Sequence, residues 1–227
     1  MTTSPDDAAT DLLIREVDDD LRQENLEKLW KKYGALFIGV AVAAVLAVAG
    51  GQAWRTWKHD QALQSSLRFG DAMQMLDKND KVKANQSLEK LALDGTVGYR
   101  LLANMKLAQM KANAGDLAAA IGVYDQVAVD SGVDPSYRTM ARLKAAYLRL
   151  QSGDVARLEA EMTPLAAETS PWRHSAREVL ALLELKAGHQ EQAKEWLRKV
   201  ADDIAAPAGI RGRTTELLAA LESASKE

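Results

Sequence analysis

Residues Gly34–Trp54 read GALFIGVAVAAVLAVAGGQAW, a stretch without a single charged side chain. An α-helix rises about 1.5 Å per residue, so about 20 apolar residues cross the roughly 30 Å hydrocarbon core of a lipid bilayer. We therefore expect a single transmembrane helix at 34–54. This helix divides the chain of 227 residues into a short arm at 1–33 and a larger domain at 55–227.

Aromatic residues flank this apolar segment, as amphipathic rings do at a membrane–water interface. Trp30 and Tyr33 precede it, and Trp54 and Trp57 lie at its other end. A buried helix of a soluble domain is one alternative, but an apolar run of this length is typical of a membrane span. A cleaved signal peptide is another, because residues 47–49 (Ala-Val-Ala) fit a cleavage site. The long acidic arm favours an uncleaved anchor, since signal peptides begin with a short basic region.

The positive charges around the span predict its orientation. Over about 20 residues on each side, slightly more Lys and Arg residues precede the span than follow it. They are Arg22, Lys28, Lys31 and Lys32 before the span, and Arg55, Lys58 and Arg68 after it. This slight excess predicts a cytoplasmic arm and a large domain on the opposite side of the membrane.

The arm at 1–33 is acidic, with nine Asp or Glu residues against five Lys or Arg residues. Asp11 is expected to cap an amphipathic helix, because its carboxylate can accept the free N–H groups of the first turn. Leu13, Val17 and Leu21 then form one stripe of that helix, which is expected to continue into the span. After the span, 24 basic residues nearly balance 23 acidic ones, so no nucleic-acid partner is expected.

Small residues recur every four positions within the apolar segment, and this spacing places them on one face of the helix. They are Gly39, Ala43, Ala47 and Gly51. Small residues at this spacing let a second helix approach closely in the bilayer, so the face is a candidate packing surface for a partner helix or a homodimer. Chance is the alternative, because any span rich in Ala and Gly contains such a row.

Four turns recur along the large domain at intervals of 36, 38 and 35 residues: Asn79-Asp80, Gly115-Asp116, Gly153-Asp154 and Gly188-His189. In the last three, the glycine can adopt the left-handed conformation that ends a helix. Similar residues recur five, nine and twelve positions after each turn, which places them on one helix face. They are Ala84, Ala120, Leu158 and Ala193; Leu88, Tyr124, Met162 and Leu197; and Leu91, Val127, Leu165 and Val200.

A period near 34 residues, with a turn, then a small residue and then a larger one, is typical of tetratricopeptide repeats. Residues Gly115–Tyr124 form the strongest unit, whereas the unit that contains Leu158 lacks the small residue and departs most from the pattern. The predicted fold class is therefore all-α, with a single N-terminal transmembrane helix followed by a tetratricopeptide-like helical-repeat solenoid.

Proline marks the expected helix starts, because it suits the first turn of a helix and stops the previous helix from continuing. Pro135, Pro171 and Pro207 are expected to have this role. A long helix over Trp54–Leu76 is expected to continue the span into the first unit. Thr214–Ala224 is expected to form a closing helix that covers the last apolar face.

Neither catalysis nor metal binding is indicated. The absence of cysteine excludes disulfides, thiol catalysis and cysteine-ligated metals. His59, His174 and His189 each lack a second histidine three or four residues away, the spacing that a helical metal site needs. The chain also has no Gly-rich phosphate loop and no serine elbow. We therefore expect no enzyme, no cofactor and no metal.

Stacked helix pairs instead form a curved surface that accepts an extended peptide or a partner's helix. Asn104, Lys111, Arg142 and Arg149 lie on the first helices of the predicted pairs and are the candidate partner-binding residues. Simple solvation of each side chain is the alternative.

The segment Asn25–Gly34, NLEKLWKKYG, precedes the span, and residues 54–57 (WRTW) close it. With the acidic arm and the degenerate repeats, the chain resembles over nearly its whole length the YfgM-like family, ancillary subunits of the bacterial SecYEG translocon. The resemblance implies a single-pass inner-membrane protein with its repeat domain in the periplasm. It also implies a position beside the translocon, where nascent secreted chains would pass to periplasmic chaperones, and no catalytic residues.

Three functional hypotheses follow. The first is a membrane-anchored adaptor of the SecYEG translocon. The second is a self-associating membrane scaffold that dimerises through the small residues of the span. The third is a regulator that acts through its cytoplasmic arm.

Overall fold

In the computed structural model, residues 5–153, 155 and 157–224 are described, with side chains over 30–153, 155 and 157–223. Every regular element in these ranges is helical, which confirms the all-α fold class. The α-helices are α1 (Pro5–Asp77), α2 (Lys81–Asp94), α3 (Val97–Asn113), α4 (Leu117–Val129), α5 (Pro135–Ser152), α6 (Leu158–Met162), α7 (Arg173–Ala187), α8 (Gln190–Ala201) and α9 (Ala208–Ala224). A short 3-10 helix, Pro164–Ala166, follows α6.

The chain forms two compact units, residues 1–60 and 61–227, with the boundary inside α1. The first unit consists of α1 over its described residues. The part of α1 that begins at Trp30 is long and apolar enough to cross a membrane. Its apolar side chains are exposed throughout the segment, as lipid-facing side chains are.

Aromatic and lysine side chains pair at both ends of the apolar segment. Trp54 and Trp57 stack with their ring centroids 5.1 Å apart, and Lys58 Nζ lies 5.6 Å from the Trp54 ring. At the other end, Lys32 Nζ lies 5.3 Å from the Tyr33 ring. The aromatic ring supplies apolar surface and the lysine ammonium supplies charge, a combination that suits the interface between lipid and water.

The start of α1 differs from the expected one. The helix begins at Pro5, six residues before Asp11, so Asp11 is an interior residue and the expected cap is wrong. The side chains that would form the amphipathic stripe of the arm lie outside the described residues.

The four predicted turns are confirmed by their backbone conformation. Asn79, Gly115, Gly153 and Gly188 have positive φ values of 59°, 85°, 90° and 84°. At three turns the next residue donates its N–H to the carbonyl five residues earlier, at 2.8 to 3.0 Å, which closes a Schellman motif. Asp154, the second residue of the remaining predicted turn, lies outside the described residues.

Two of the turns lead directly into the next helix, because the aspartate that follows the residue of positive φ caps that helix. The Asp80 carboxylate accepts a hydrogen bond from the Lys83 N–H at 3.2 Å, and the Asp116 carboxylate accepts one from the Ala119 N–H at 3.0 Å. One short segment therefore both ends a helix and starts its antiparallel partner, and this is how the sequence pattern produces helix pairs.

The predicted inner face is confirmed. Of the twelve residues that recur five, nine and twelve positions after the turns, eleven are buried and Leu165 is half-buried. The unit that contains Leu158 departs most from the others, as expected, because its second helix, α6, has only five residues. Pro164 prevents its continuation as an α-helix, since proline has no N–H to donate and its ring clashes with the preceding turn.

The ends of the repeat domain are only partly as predicted. The long helix over Trp54–Leu76 is confirmed as part of α1. The closing helix α9 begins at Ala208, directly after Pro207, so the expected start at Thr214 is wrong by six residues. Thr214 is fully buried in the second turn of α9, and its hydroxyl donates to the Ile210 and Arg211 carbonyls, both at 3.0 Å.

Alanine substitution at two glycines of the same unit is expected to have opposite effects on stability. Gly115→Ala should lower the free energy of unfolding by about 1 kcal/mol, because Gly115 has the left-handed backbone that a Cβ disfavours. Gly122→Ala should raise it by about 0.5–1 kcal/mol, because Gly122 is an exposed interior residue of α4 with open space around its Cβ position. Urea unfolding of the detergent-solubilised chain measures both, and effects of the same sign would contradict this account of the turn.

Candidate functional site

A groove of about 760 Å³ lies between α2 and the C-terminal half of α3. Its size is within the range of pockets that hold small ligands or short peptide segments. Leu76 and Met110 are half-buried and contribute its apolar part, together with Val82, which is 70% exposed. These side chains would lose contact with water when the groove is filled, so burial of an apolar group there contributes favourably to the binding free energy.

Polar side chains from both helices surround the apolar part of the groove. Four are amides, and they are Asn85 and Gln86 on α2 and Gln109 and Asn113 on α3. Three lysines and one acidic residue also line the groove, and they are Lys81, Lys106, Lys111 and Glu89. The groove therefore has an excess of positive charge and many side chains that both donate and accept hydrogen bonds.

The corresponding position between α4 and α5 is closed by an ion pair. Arg149 on α5 donates to the Asp125 carboxylate at 2.6 Å and lies 3.7 Å from a Glu161 oxygen. In the repeat pattern, Lys111 is equivalent to Arg149 and Glu89 is equivalent to Asp125. Lysine lacks the planar guanidinium fork of arginine, so Lys111 is less suited to bridge the two helices in the same way.

A hydrogen bond within α2 explains why Glu89 does not close the groove. Asn85 Nδ2 donates to Glu89 Oε1 at 2.7 Å, an interaction between residues four positions apart on one helix face. At the equivalent position α4 has Ile121, which has no polar group to offer Asp125. The open groove therefore results from two differences between the repeats, lysine for arginine on α3 and asparagine for isoleucine on α2.

The four candidate partner-binding residues do not come together at one site. Lys111 lines the groove, whereas Asn104 is half-buried elsewhere on α3 and Arg142 is exposed on α5. Arg149 is 15% exposed and takes part in the ion pairs described above. A role for these four residues in partner binding stays a prediction, and the geometry favours Lys111.

The four small residues of the apolar segment are exposed on α1. A Cβ added at Gly39 or Gly51 would meet no heavy atom within 4 Å, so this face is open to a partner. Ala43 and Ala47 lie between them at the same four-residue spacing. Packing of this face against another helix stays a prediction.

The sequence analysis missed a set of paired charged side chains. An acidic residue stands fifteen positions after the residue of positive φ in each turn, and each is paired with an arginine. In three of the pairs, both residues belong to the same repeat. These pairs are Arg68–Asp94 at 2.8 Å, Arg100–Asp130 at 3.6 Å and Arg173–Asp203 at 3.0 Å. In the unit with the short α6, Glu168 instead accepts from Arg177 of the next unit at 2.6 Å. The repeated acidic position is the signal that could have identified these pairs.

The altered pairing leaves one arginine without its expected acid. Arg138 is the repeat equivalent of Arg100 and Arg173. Its Nε is buried, and no hydrogen-bond partner for this atom is found in the part of the chain that the structure describes. Among the described residues, the repeat formed by α5 and α6 therefore lacks the arginine–acid pair that the other repeats have at this position. Its Glu168 contacts the next repeat, α7 and α8, through Arg177 instead.

The C-terminal helices are held together by buried polar contacts. Glu178 accepts hydrogen bonds from the Tyr147 hydroxyl at 2.6 Å and from the Arg213 guanidinium at 2.9 Å, which joins α5, α7 and α9. His174 Nε2 lies 2.7 Å from Asp203. Hydrogen bonds from His174, from the Ala205 N–H and from Arg173 hold the pKa of Asp203 well below its usual range.

These contacts are structural, because each buried polar group faces a partner on a neighbouring helix or loop rather than a cavity. Among the described residues, no cluster of three or more His, Cys, Asp or Glu side chains could hold a metal ion. What the site can do chemically is bind a chain segment through charge, hydrogen bonds and apolar contact.

Comparison with protein-family models gives a match at residues 27–211 to a tetratricopeptide repeat-like domain. The matched region begins before the apolar segment and extends into α9, so it includes the groove and all four turns. Comparison with curated proteins and with solved structures gives no match.

Proposed function

The chain belongs to the tetratricopeptide repeat-like family, and from this premise we propose that it is an inner-membrane adaptor of the SecYEG translocon. Helical repeats of this kind are typically protein–protein interaction domains rather than enzymes. In the proposed arrangement, the repeat domain lies in the periplasm. There it binds partners or nascent secreted chains and links them to periplasmic chaperones.

The observation that carries the membrane part of this proposal is α1. One uninterrupted helix contains both the exposed apolar segment and the first helix of the repeats. Leu36, Ile38 and Leu46 are each more than half exposed, and such a continuous apolar surface on a soluble protein would be an association site. A lipid bilayer covers such a surface without any protein partner.

The translocon part of the proposal is supported by the residues on either side of the span. The segment Asn25–Gly34 and the WRTW motif at 54–57 resemble the YfgM-like family. The slight excess of positive charge before the span favours a cytoplasmic arm, and with this orientation the repeats would lie in the periplasm. An interaction domain anchored there is near the exit of the secretion channel.

Photocrosslinking in intact membranes tests this function. A photoreactive amino acid at Gln86 or Gln109 in the groove is expected to yield adducts with translocon subunits, chaperones or nascent chains. The same amino acid at Gln126, an exposed position of α4 outside the groove, provides the control. Absence of these adducts at both groove positions would contradict the adaptor function.

The open face of small residues favours a second candidate, a self-associating membrane scaffold. Gly39, Ala43, Ala47 and Gly51 would allow two copies of α1 to pack closely in the bilayer. The same experiment separates the two candidates, because a scaffold gives adducts between copies of the chain alone. Contacts confined to the arm would instead favour a regulator that acts through its cytoplasmic side.

A further inference from the structure

We infer that the groove between α2 and α3 binds an extended peptide segment that carries an apolar residue and a carboxylate two positions apart. This inference rests on the proposed function as an interaction protein, and it specifies which chain segments the repeats accept. It depends on the charge of the groove, its amide side chains and its apolar part, each of which limits the ligand in a different way.

The charge of the groove selects an acidic ligand. Lys81, Lys106 and Lys111 line it, and Glu89 is its single acidic lining residue. Glu89 is also partly engaged, since it accepts the hydrogen bond from Asn85 at 2.7 Å. A carboxylate that enters the groove therefore meets an excess of positive charge, whereas a basic side chain would be repelled.

The amide side chains select an extended backbone. Asn85 and Gln86 lie on one side of the groove, and Gln109 and Asn113 lie on the other. An extended peptide leaves its N–H and C=O groups unpaired, and amide side chains can satisfy both because they donate and accept. A helical segment has already paired these groups within itself, so it would form fewer hydrogen bonds with the amides of the groove.

The geometry of α3 gives the length of the segment that is recognised. Lys106, Gln109 and Asn113 are three and four residues apart, so they lie along one face of the helix. This row extends about 10 Å along the helix, which corresponds to about three residues of an extended chain. Alternate side chains of such a chain point the same way, so positions one and three enter the groove together.

These two positions meet different surfaces. Leu76, Val82 and Met110 provide the apolar contact for one side chain. Lys106 lies four residues before Met110, one helical turn away, and Lys111 directly follows it. An apolar residue and a carboxylate separated by one residue therefore match the groove. The equivalent position between α4 and α5 cannot bind in this way, because the Arg149–Asp125 pair occupies it.

Fluorescence anisotropy with the full chain in lipid nanodiscs tests the inference. The probe is a labelled peptide, Ser-Leu-Ser-Asp-Ser-Leu-Ser-Asp-Ser, with an amidated C-terminus. It should bind about tenfold more tightly than a peptide with Lys in place of Asp, and the difference should shrink as salt is added. A peptide with Ser in place of Leu should also bind more weakly, because it loses the apolar contact.

Charge variants of the groove should change the affinity in opposite directions. Lys106→Glu combined with Lys111→Glu should weaken binding of the acidic probe about tenfold, and Glu89→Gln should strengthen it about twofold to threefold. Lys144→Glu is the matched control, because Lys144 is the exposed equivalent of Lys106 on α5 and lies outside the groove. Circular dichroism of each variant checks its helix content.

The inference is overturned if the Lys peptide binds as well as the acidic one, or if the groove variants leave the affinity unchanged. If the double variant fails to fold, Glu89→Gln decides the question together with a photoreactive amino acid at Gln86, which should crosslink to the labelled acidic peptide in nanodiscs. These outcomes concern only the probe peptides, whereas the proposed function fails if neither groove position crosslinks to translocon subunits, chaperones or nascent chains in intact membranes.

Discussion

Replacing Arg177 with alanine is expected to lower the free energy of unfolding of the repeat domain by about 3–4 kcal/mol. Arg177 is only 3% exposed, although it is charged. Its Nε donates to the Ala166 carbonyl at 3.0 Å and its guanidinium also donates to the Lys199 carbonyl at 3.4 Å. The substitution removes a buried side chain and leaves two carbonyls without these donors, and each loss contributes to the effect.

The ion pair with Glu168 contributes less to this effect than the two carbonyls do. Glu168 is 80% exposed, so water solvates it after the substitution and the Coulomb term is small. Arg198→Ala is the matched control, because Arg198 pairs with Glu222 at 2.9 Å on the surface, where water screens the ion pair, so its loss should change stability far less than Arg177→Ala.

Thermal unfolding by circular dichroism measures both variants. In a domain of this size Arg177→Ala should lower the Tm by about 10 °C, and Arg198→Ala should lower it by no more than about 3 °C. Equal shifts for the two variants would mean that the buried contacts of Arg177 do not stabilise the junction between the 3-10 helix, α7 and α8.

Replacing Val45 and Leu46 with arginine is expected to remove the chain from membranes. Two arginines at the centre of a span oppose insertion by about 5–7 kcal/mol. Insertion of the wild-type segment depends on its unbroken apolar surface. The cost of the two arginines therefore exceeds the favourable transfer free energy of the remaining apolar residues. Extraction of membranes with alkaline carbonate measures the effect, and the variant should appear in the soluble fraction whereas the wild type stays with the membrane.

The control uses the same substitutions on the same helix. Leu63 and Leu67 are also exposed leucines of α1, but they lie after the apolar segment. Leu63→Arg combined with Leu67→Arg should leave the chain in the membrane fraction. If the Val45 and Leu46 variant also stayed there, α1 would not be the membrane anchor.

The turns and the inner face of the repeats could be predicted because they depend on local properties. A glycine that ends a helix, an aspartate that caps the next one and a buried alanine five residues later are each recognisable within a short window. Helix ends were less predictable. Pro135 and Pro207 stand at the starts of α5 and α9, as expected, but Pro171 lies two residues before α7. Asp11, expected as a cap, and Thr214, expected as a helix start, are interior residues of α1 and α9.

The groove and the arginine–acid pairs could not be predicted, because they depend on competition between side chains from different helices. Glu89 could pair with Lys111 or with Asn85, and only the structure gives the outcome. In the same way, Glu168 pairs with Arg177 rather than with Arg138 of its own unit. Sequence spacing identifies such groups, but it does not decide which of two neighbours a carboxylate binds.

The pairing of Glu168 with Arg177 has a consequence for how the repeat domain opens. In a linear array, each unit unfolds separately to the extent that its own contacts outweigh those with its neighbours. The first repeat, formed by the end of α1 and α2, and the second repeat, α3 and α4, each contain their own arginine–acid pair, so they can unfold one at a time from the end of the array. In the third repeat, α5 and α6, Glu168 instead pairs with Arg177 of the fourth repeat, α7 and α8. Glu178 also connects α5 to α7 and α9 through its hydrogen bonds with Tyr147 and Arg213. The C-terminal half is therefore expected to resist proteolysis and hydrogen exchange as a single block.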